Sequence, residues 1–138
     1  MERQGCAPNP ERDTPVASLN ELTERVIGAC IEVHRELGPG FLESVYEEAL
    51  AEELSLRCIP FERQHSVIVK YKARNVGEHR VDLIVNRRLV VELKTVDSLL
   101  PIHTAQVISY LKASGLHLGL LVNFKAAQLA TGIKRIAL

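Results

Sequence analysis

The chain has 138 residues, 46% hydrophobic and 25% charged, with a formal net charge of +0. That balance suits one globular domain with a core of its own and excludes low-complexity and collagen-like chains. No apolar run is long enough to cross a bilayer as a helix, so no membrane role is expected.

The zero net charge conceals an asymmetry. Residues 1–60 hold 12 acidic and 5 basic side chains, whereas residues 61–138 hold 5 acidic and 12 basic ones. A basic half suits contact with a polyanion, although ordinary solubilising charge on a surface produces the same count. Cys6, Cys30 and Cys58 are odd in number and lack disulfide-framework or metal-ligand spacing. They read as a tail thiol and two small buried apolar residues.

Residues 1–18 are polar and proline-containing and read as a disordered tail, leaving 19–138 as a single domain. The tail lacks the apolar core of a signal peptide, which points to a cytoplasmic protein. From Leu19, the residues Leu22, Val26, Ala29, Cys30, Ile31, Val33 and Leu37 form a helix-like stripe ended by Gly38-Pro39-Gly40. A second helix is predicted from about Phe41 to Arg57, with Leu42, Val45, Ala49, Leu50, Leu54 and Leu56 inward. The period then changes. Ser66–Tyr71, His79–Val85 and Leu89–Thr95 read as strands, the last two joined by Asn86-Arg87-Arg88. A helix over Ile102–Ser114 ends at Gly115, Leu116–Phe124 suits a buried strand, and Ile133–Leu138 a short edge strand. The order α-α-β-β-β-α-β predicts an α/β fold with a central mixed sheet flanked by helices.

Glu92 and Lys94 lie two apart on one strand and so share a face, with Val91 and Leu93 turned to the core. Asp82 lies on the preceding strand, with Val81, Leu83 and Val85 on its opposite face. A three-residue loop, Asn86 to Arg88, pairs Val85 with Leu89 and sets Asp82 opposite Glu92. A two-residue loop would throw the carboxylates onto opposite faces. The first register segregates apolar and charged residues consistently. Two converging carboxylates repel, and a divalent cation with oxygen ligands relieves the conflict. The plain alternative is an ion pair of Lys94 with Asp82 or Glu92 on a solvated face, which the apolar run around Glu92 disfavours.

On the second helix, Glu43 projects within the inner arc, where a carboxylate wants a partner. A charge stabilised by the helix amino terminus is the alternative. Tyr46 shares its face as a packing and hydrogen-bonding support. On the later helix, His103, Gln106 and Tyr110 fall on one side by their i, i+3, i+4 spacing. His103 suits either a phosphate contact or a helix cap. His34 suits either the site or a helix carboxyl end. His65, His79 and His117 show no ligand spacing.

Asp82 followed ten residues later by Glu92-Leu93-Lys94 resembles the core motif of the PD-(D/E)xK, or restriction-endonuclease-like, nuclease superfamily. Gly40-Phe41-Leu42-Glu43-Ser44-Val45-Tyr46 is similar to the signature of the GxxExxY family, a branch of that superfamily. The surrounding Glu32 to Gly40, Pro101-Ile102-His103 and Ser109 to Gly115 look like the same family. The superfamily's proline before the aspartate is absent, since Arg80-Val81-Asp82 stands there.

The resemblance implies a nuclease that hydrolyses nucleic-acid phosphodiesters, DNA rather than RNA, with Mg²⁺ or Mn²⁺. Asp82, Glu92, Glu43 and the backbone carbonyl of Leu93 are the expected metal ligands. Lys94 is expected to activate water or stabilise the transition state, and Gln106 and Tyr110 to orient the phosphate. Lys70, Lys72, Arg74, Arg87, Arg88 and His103 are expected to contact nucleic acid. So small a domain leaves little room for sequence recognition, which points to structure-directed action, a homo-oligomer or a protein partner. The competing reading is a catalytically silent nuclease-fold module that binds nucleic acid or a protein.

Overall fold

The computed structural model describes residues 18–138, so the expected tail, apart from Ser18, and Cys6 lie outside the described residues. Ser18 caps the first helix, α1 (Leu19–Leu37), accepting from the Glu21 N–H at 3.1 Å. That bond satisfies one of the helix's orphan donors. Leu22, Val26, Ala29, Cys30 and Val33 form its buried stripe. Ile31, expected in that stripe, is exposed instead. It stands nine residues past Leu22, half a turn around a 3.6-residue helix. Gly38, at φ 69, stops α1, and its N–H bonds the His34 carbonyl at 2.8 Å.

Helix α2 (Glu43–Leu56) buries Tyr46, Leu50, Ala51 and Leu54. The buried arc therefore centres on Tyr46 rather than on Leu42, Val45 and Leu56, all of which are exposed. Leu42 precedes the helix in extended conformation, beyond the reach of any helical-wheel argument. The Tyr46 hydroxyl donates to the Gly38 carbonyl at 2.5 Å and accepts from the Phe41 N–H at 3.2 Å. Its ring stacks on Phe124 with centroids 4.5 Å apart. This one side chain ties the Gly-Pro-Gly turn to α2 and to the far end of the sheet. The Gly40-x-x-Glu43-x-x-Tyr46 spacing thereby acquires a structural meaning: tyrosine holds the turn, and the turn places the glutamate.

Five strands follow: β1 (Phe61–Tyr71), β2 (Arg74–Val85), β3 (Leu89–Lys94), β4 (Leu118–Asn123) and β5 (Ile133–Ala137). They lie in sequence order, with β3 and β4 parallel and every other pair antiparallel. Helix α3 (Pro101–Ser114) makes the crossover between the parallel pair. The α-α-β-β-β-α-β order and the mixed sheet agree with the restriction-endonuclease-like expectation. Helices α1 and α2 cover one face through Leu83, Val85, Leu89, Val91, Leu93, Leu120 and Val122. Helix α3 covers the other through Val107 and Leu111 against Val81, Ile84, Val90 and Leu121. Gly119 permits that close approach, because a Cβ there would lie 2.6 Å from Val107 Cγ1.

Strands β1 and β2 are longer than expected. Lys72 and Ala73 both adopt positive φ, 49° and 68°, forming a two-residue hairpin turn without the usual asparagine or glycine. Residues 71–80 are all exposed, so no hydrophobic alternation marks them as strand. The result is a hairpin arm that extends past the core. Cys30 is buried as expected, and burial pushes its thiol up to about 12. Cys58 is half-buried and disulfide-bonded rather than an apolar core residue.

Candidate active site

Asp82 sits where strand β2 changes face. Leu83 and Val85 belong to the core under α1 and α2, whereas Val81 packs under α3 with Ile84. The expectation that Val81, Leu83 and Val85 share a face therefore fails at Val81. The neighbouring strand turns over at the same level. Gln64, beside Asp82, has φ 50°, and the β1–β2 pairing runs from Arg63↔Leu83 to His65↔Val81 without it. Regular alternation cannot survive such a twist.

The β2–β3 loop has the expected three residues, with Asn86 and Arg87 at φ 51° and 57° and Val85 paired with Leu89. The backbone ladder runs to Leu83↔Val91 and then gives way to side chains. The Asp82 N–H donates to Glu92 Oε1 at 2.9 Å, and the Leu93 N–H donates to Asp82 Oδ2 at 2.8 Å. Each carboxylate is thus fixed through one oxygen by the other strand's backbone. The plain ion-pair alternative is not what forms: among the described residues, Lys94 makes no salt bridge with either carboxylate. Lys94 remains a half-buried ammonium near three carboxylates.

The electrostatics reflect that crowding. Glu92 is only 5% exposed. Burial, and then the charge of Asp82, pushes its carboxyl up to about 8. Burial also raises Asp82, opposed by the Leu93 N–H. Glu43, at the first position of α2, is raised by burial and then by Asp82, with Lys94 opposing. Tyr110 on α3 is raised by burial and by the charges of Glu92 and Asp82. Helices from both faces of the sheet therefore contribute to one centre. Gln106 lies half-buried one turn before Tyr110.

Among the described residues, no three His, Cys, Asp or Glu side chains converge as a ready-made cation cage. The donor set nevertheless fits a hard divalent ion. All three carboxylates are raised, a single ammonium opposes them, and the pinned pair each keep a second oxygen.

Three contributors had little sequence signal. Glu47 raises both Asp82 and Glu43, and it accepts from Arg63 at 2.8 Å and from Gln64 at 2.5 Å. Its i+4 spacing from Glu43 was the one available clue. Gln64, beside Asp82 in the sheet, opposes the rise of that carboxyl through its side-chain amide. Asn123, buried at the end of β4, donates to the Val96 carbonyl at 2.8 Å and accepts from the Val96 N–H at 3.1 Å. With the Phe124 N–H on the Lys94 carbonyl at 2.9 Å, it anchors the backbone that carries the lysine.

Other expected residues stand apart. His103 Nδ1 accepts from the Leu100 N–H at 2.9 Å, so that ring nitrogen serves the start of α3. His34 Nε2 engages the Ala126 carbonyl at 2.8 Å. Lys70, Lys72 and Arg74 lie around the arm's tip, roughly 23 Å of strand from Asp82. Lys72 rests 5.4 Å from the centroid of Tyr71. Arg87 and Arg88 lie on the β2–β3 turn at the other end of β2. The basic residues therefore flank the centre as two groups rather than forming one patch.

No curated protein and no solved structure matches the chain significantly. Comparison with known families matches residues 20–136 to the PD-(D/E)XK nuclease superfamily. The match spans both helical layers, nearly all of the sheet and the Asp82, Glu92 and Lys94 centre, and the chain belongs to that superfamily.

Proposed function

We propose that the chain is a metal-dependent nuclease of the GxxExxY branch, a single domain over residues 19–138 that hydrolyses phosphodiester bonds in DNA rather than RNA. The observation that carries this reading is the reciprocal locking of Asp82 and Glu92 across β2 and β3, with Lys94 beside them in no salt bridge among the described residues. A structural ion pair would neutralise the lysine, whereas this centre keeps opposed charges apart and available.

Asp82, Glu92, Glu43 and the Leu93 carbonyl are the groups that would hold Mg²⁺ or Mn²⁺. When bound, such an ion supplies Lewis acidity and an acidified water. Lys94 offers an ammonium to charge developing on the phosphate, and holds the attacking water by a hydrogen bond. Tyr110 and Gln106 on α3 orient the phosphate, while Arg63, through Glu47, and Tyr46, through the Gly-Pro-Gly turn, hold α2 and Glu43 in place. Lys70, Lys72, Arg74, Arg87 and Arg88 bind the backbone of the nucleic acid on either side, contacts that position without reading bases.

The test is an assay with Mn²⁺ on single- and double-stranded DNA and RNA, beside Asp82→Ala. Wild type is expected to cleave at least one substrate and the variant none, with Mn²⁺ titration calorimetry showing binding only to wild type. Cleavage that survives Asp82→Ala would sink the reading.

A further inference from the structure

An open cleft of about 730 Å³ runs between the β1–β2 arm and α3. His65, Val67, Lys70, His79, Tyr110 and Lys112 contribute to its lining. Tyr110 joins it to the carboxylate centre: it packs against the cluster of Val81, beside Asp82 on β2, and Val90, two residues before Glu92 on β3, and the charges of both carboxylates raise its phenol. His79 packs beside Tyr110 in the lining, ring centroids 5.7 Å apart and tilted by 52°, so the two rings form one aromatic wall. Val67 opposite His79 in the β1–β2 register supplies an apolar floor.

The charge of this cleft has one sign. No carboxylate lines it, while Lys70 and Lys112 both do, and neither has an ion-pair partner among the described residues. Two acids bonded to lining residues lie outside the lining themselves: Glu62 with His65 at 2.6 Å and Glu78 with Ser66. The volume falls within the range of sites that enclose a small-molecule-sized ligand, so it admits one or two nucleotides. That volume cannot enclose a duplex, which is bulky enough for its major groove alone to admit an α-helix. Aromatic rings beside unpaired cations are what an unstacked base and its phosphate require.

We propose that this cleft seats an unpaired nucleic-acid strand adjoining the scissile bond, with His79 and Tyr110 as its stacking wall and Lys70 and Lys112 as its phosphate contacts. The inference rests on the nuclease reading and narrows its substrate to single strands, overhangs or frayed ends. His79 is a binding residue of this strand, a role that histidine-ligand spacing could not indicate.

The test is fluorescence anisotropy on the full chain without metal, using a short fluorescein-labelled oligothymidylate and a blunt duplex. His79→Ala and the double variant Lys70→Glu/Lys112→Glu are compared with Lys134→Glu, which makes the same kind of charge change on β5. Wild type is expected to prefer the single strand. His79→Ala weakens that binding by roughly 5- to 50-fold, and the double variant lowers the salt slope by about 0.7 for each phosphate no longer neutralised. Lys134→Glu leaves single-strand affinity within about twofold of wild type. Unchanged single-strand affinity in variants that melt like wild type overturns the proposal, as does absence of single-strand binding in wild type. Mn²⁺-dependent cleavage with unaltered strand binding overturns the cleft and leaves the nuclease reading standing. Strand binding abolished by mutating the cleft, with no cleavage of any substrate, overturns the nuclease reading and leaves the cleft.

Discussion

Replacing Glu92 with Gln should stabilise the metal-free protein at alkaline pH. In the wild type, burial and Asp82 push the Glu92 carboxyl from 4.5 to about 8. A carboxyl raised in the folded state contributes stability that is complete below about pH 4.5 and is lost as pH rises through about 8. At ~1.4 kcal/mol per tenfold change in acidity, that displacement sets a ceiling of roughly 5 kcal/mol. Water on the open side of the centre screens part of it, and a gain of ~2–3 kcal/mol at pH 8.5 is expected. Glutamine keeps an oxygen that can accept from the Asp82 N–H, so the strand locking survives. Thermal unfolding in chelator should show the variant melting about 8–12 °C above wild type at pH 8.5, and the two converging near pH 4.5. Saturating Mn²⁺ should reverse the order, because only wild type gains binding energy from it. A variant equal to or weaker than wild type at pH 8.5, or a difference independent of pH, would refute the reasoning.

Three further substitutions probe how the centre is held. Tyr46→Phe removes the hydroxyl bonded to Gly38 and Phe41 and should cost about 1–3 kcal/mol in urea unfolding, with cleavage falling further than the loss of fold explains as Glu43 is released. Asn123→Ala frees the Val96 backbone on the segment after Lys94; a cost of ~1–3 kcal/mol and faster amide exchange over residues 94–97 are expected. Gly119→Ala drives a methyl into Val107 and should cost ~1–3 kcal/mol by denaturant unfolding while leaving Mn²⁺ affinity unchanged.

The element order and the β2–β3 register were legible because both rest on local rules. Apolar period separates helix from strand, and a three-residue loop dictates which residues oppose each other. The Asp82–Glu92 pairing follows directly from Val85↔Leu89. Three things escaped. Val81 changes face because β1 and β2 twist together at Gln64 and Asp82, a tertiary event with no trace in alternation. The arm over residues 71–80 is exposed on both faces, so no hydrophobic period betrays it. His79 and Glu47 matter through neighbours far along the chain, Tyr110 in one case and Arg63 with Asp82 in the other. His103 and His34 went the other way, each held by a backbone group where a role at the site was conceivable.

The central claim is that the carboxylate–lysine centre performs chemistry, beyond any capacity to hold an ion. Lys94→Ala separates the two most directly, because the lysine is no ligand in this account. Mn²⁺ titration calorimetry and a cleavage assay on the same preparation should show metal affinity within a few-fold of wild type and a rate reduced by at least ~10²-fold. Cleavage at the wild-type rate with Lys94 removed would contradict the account.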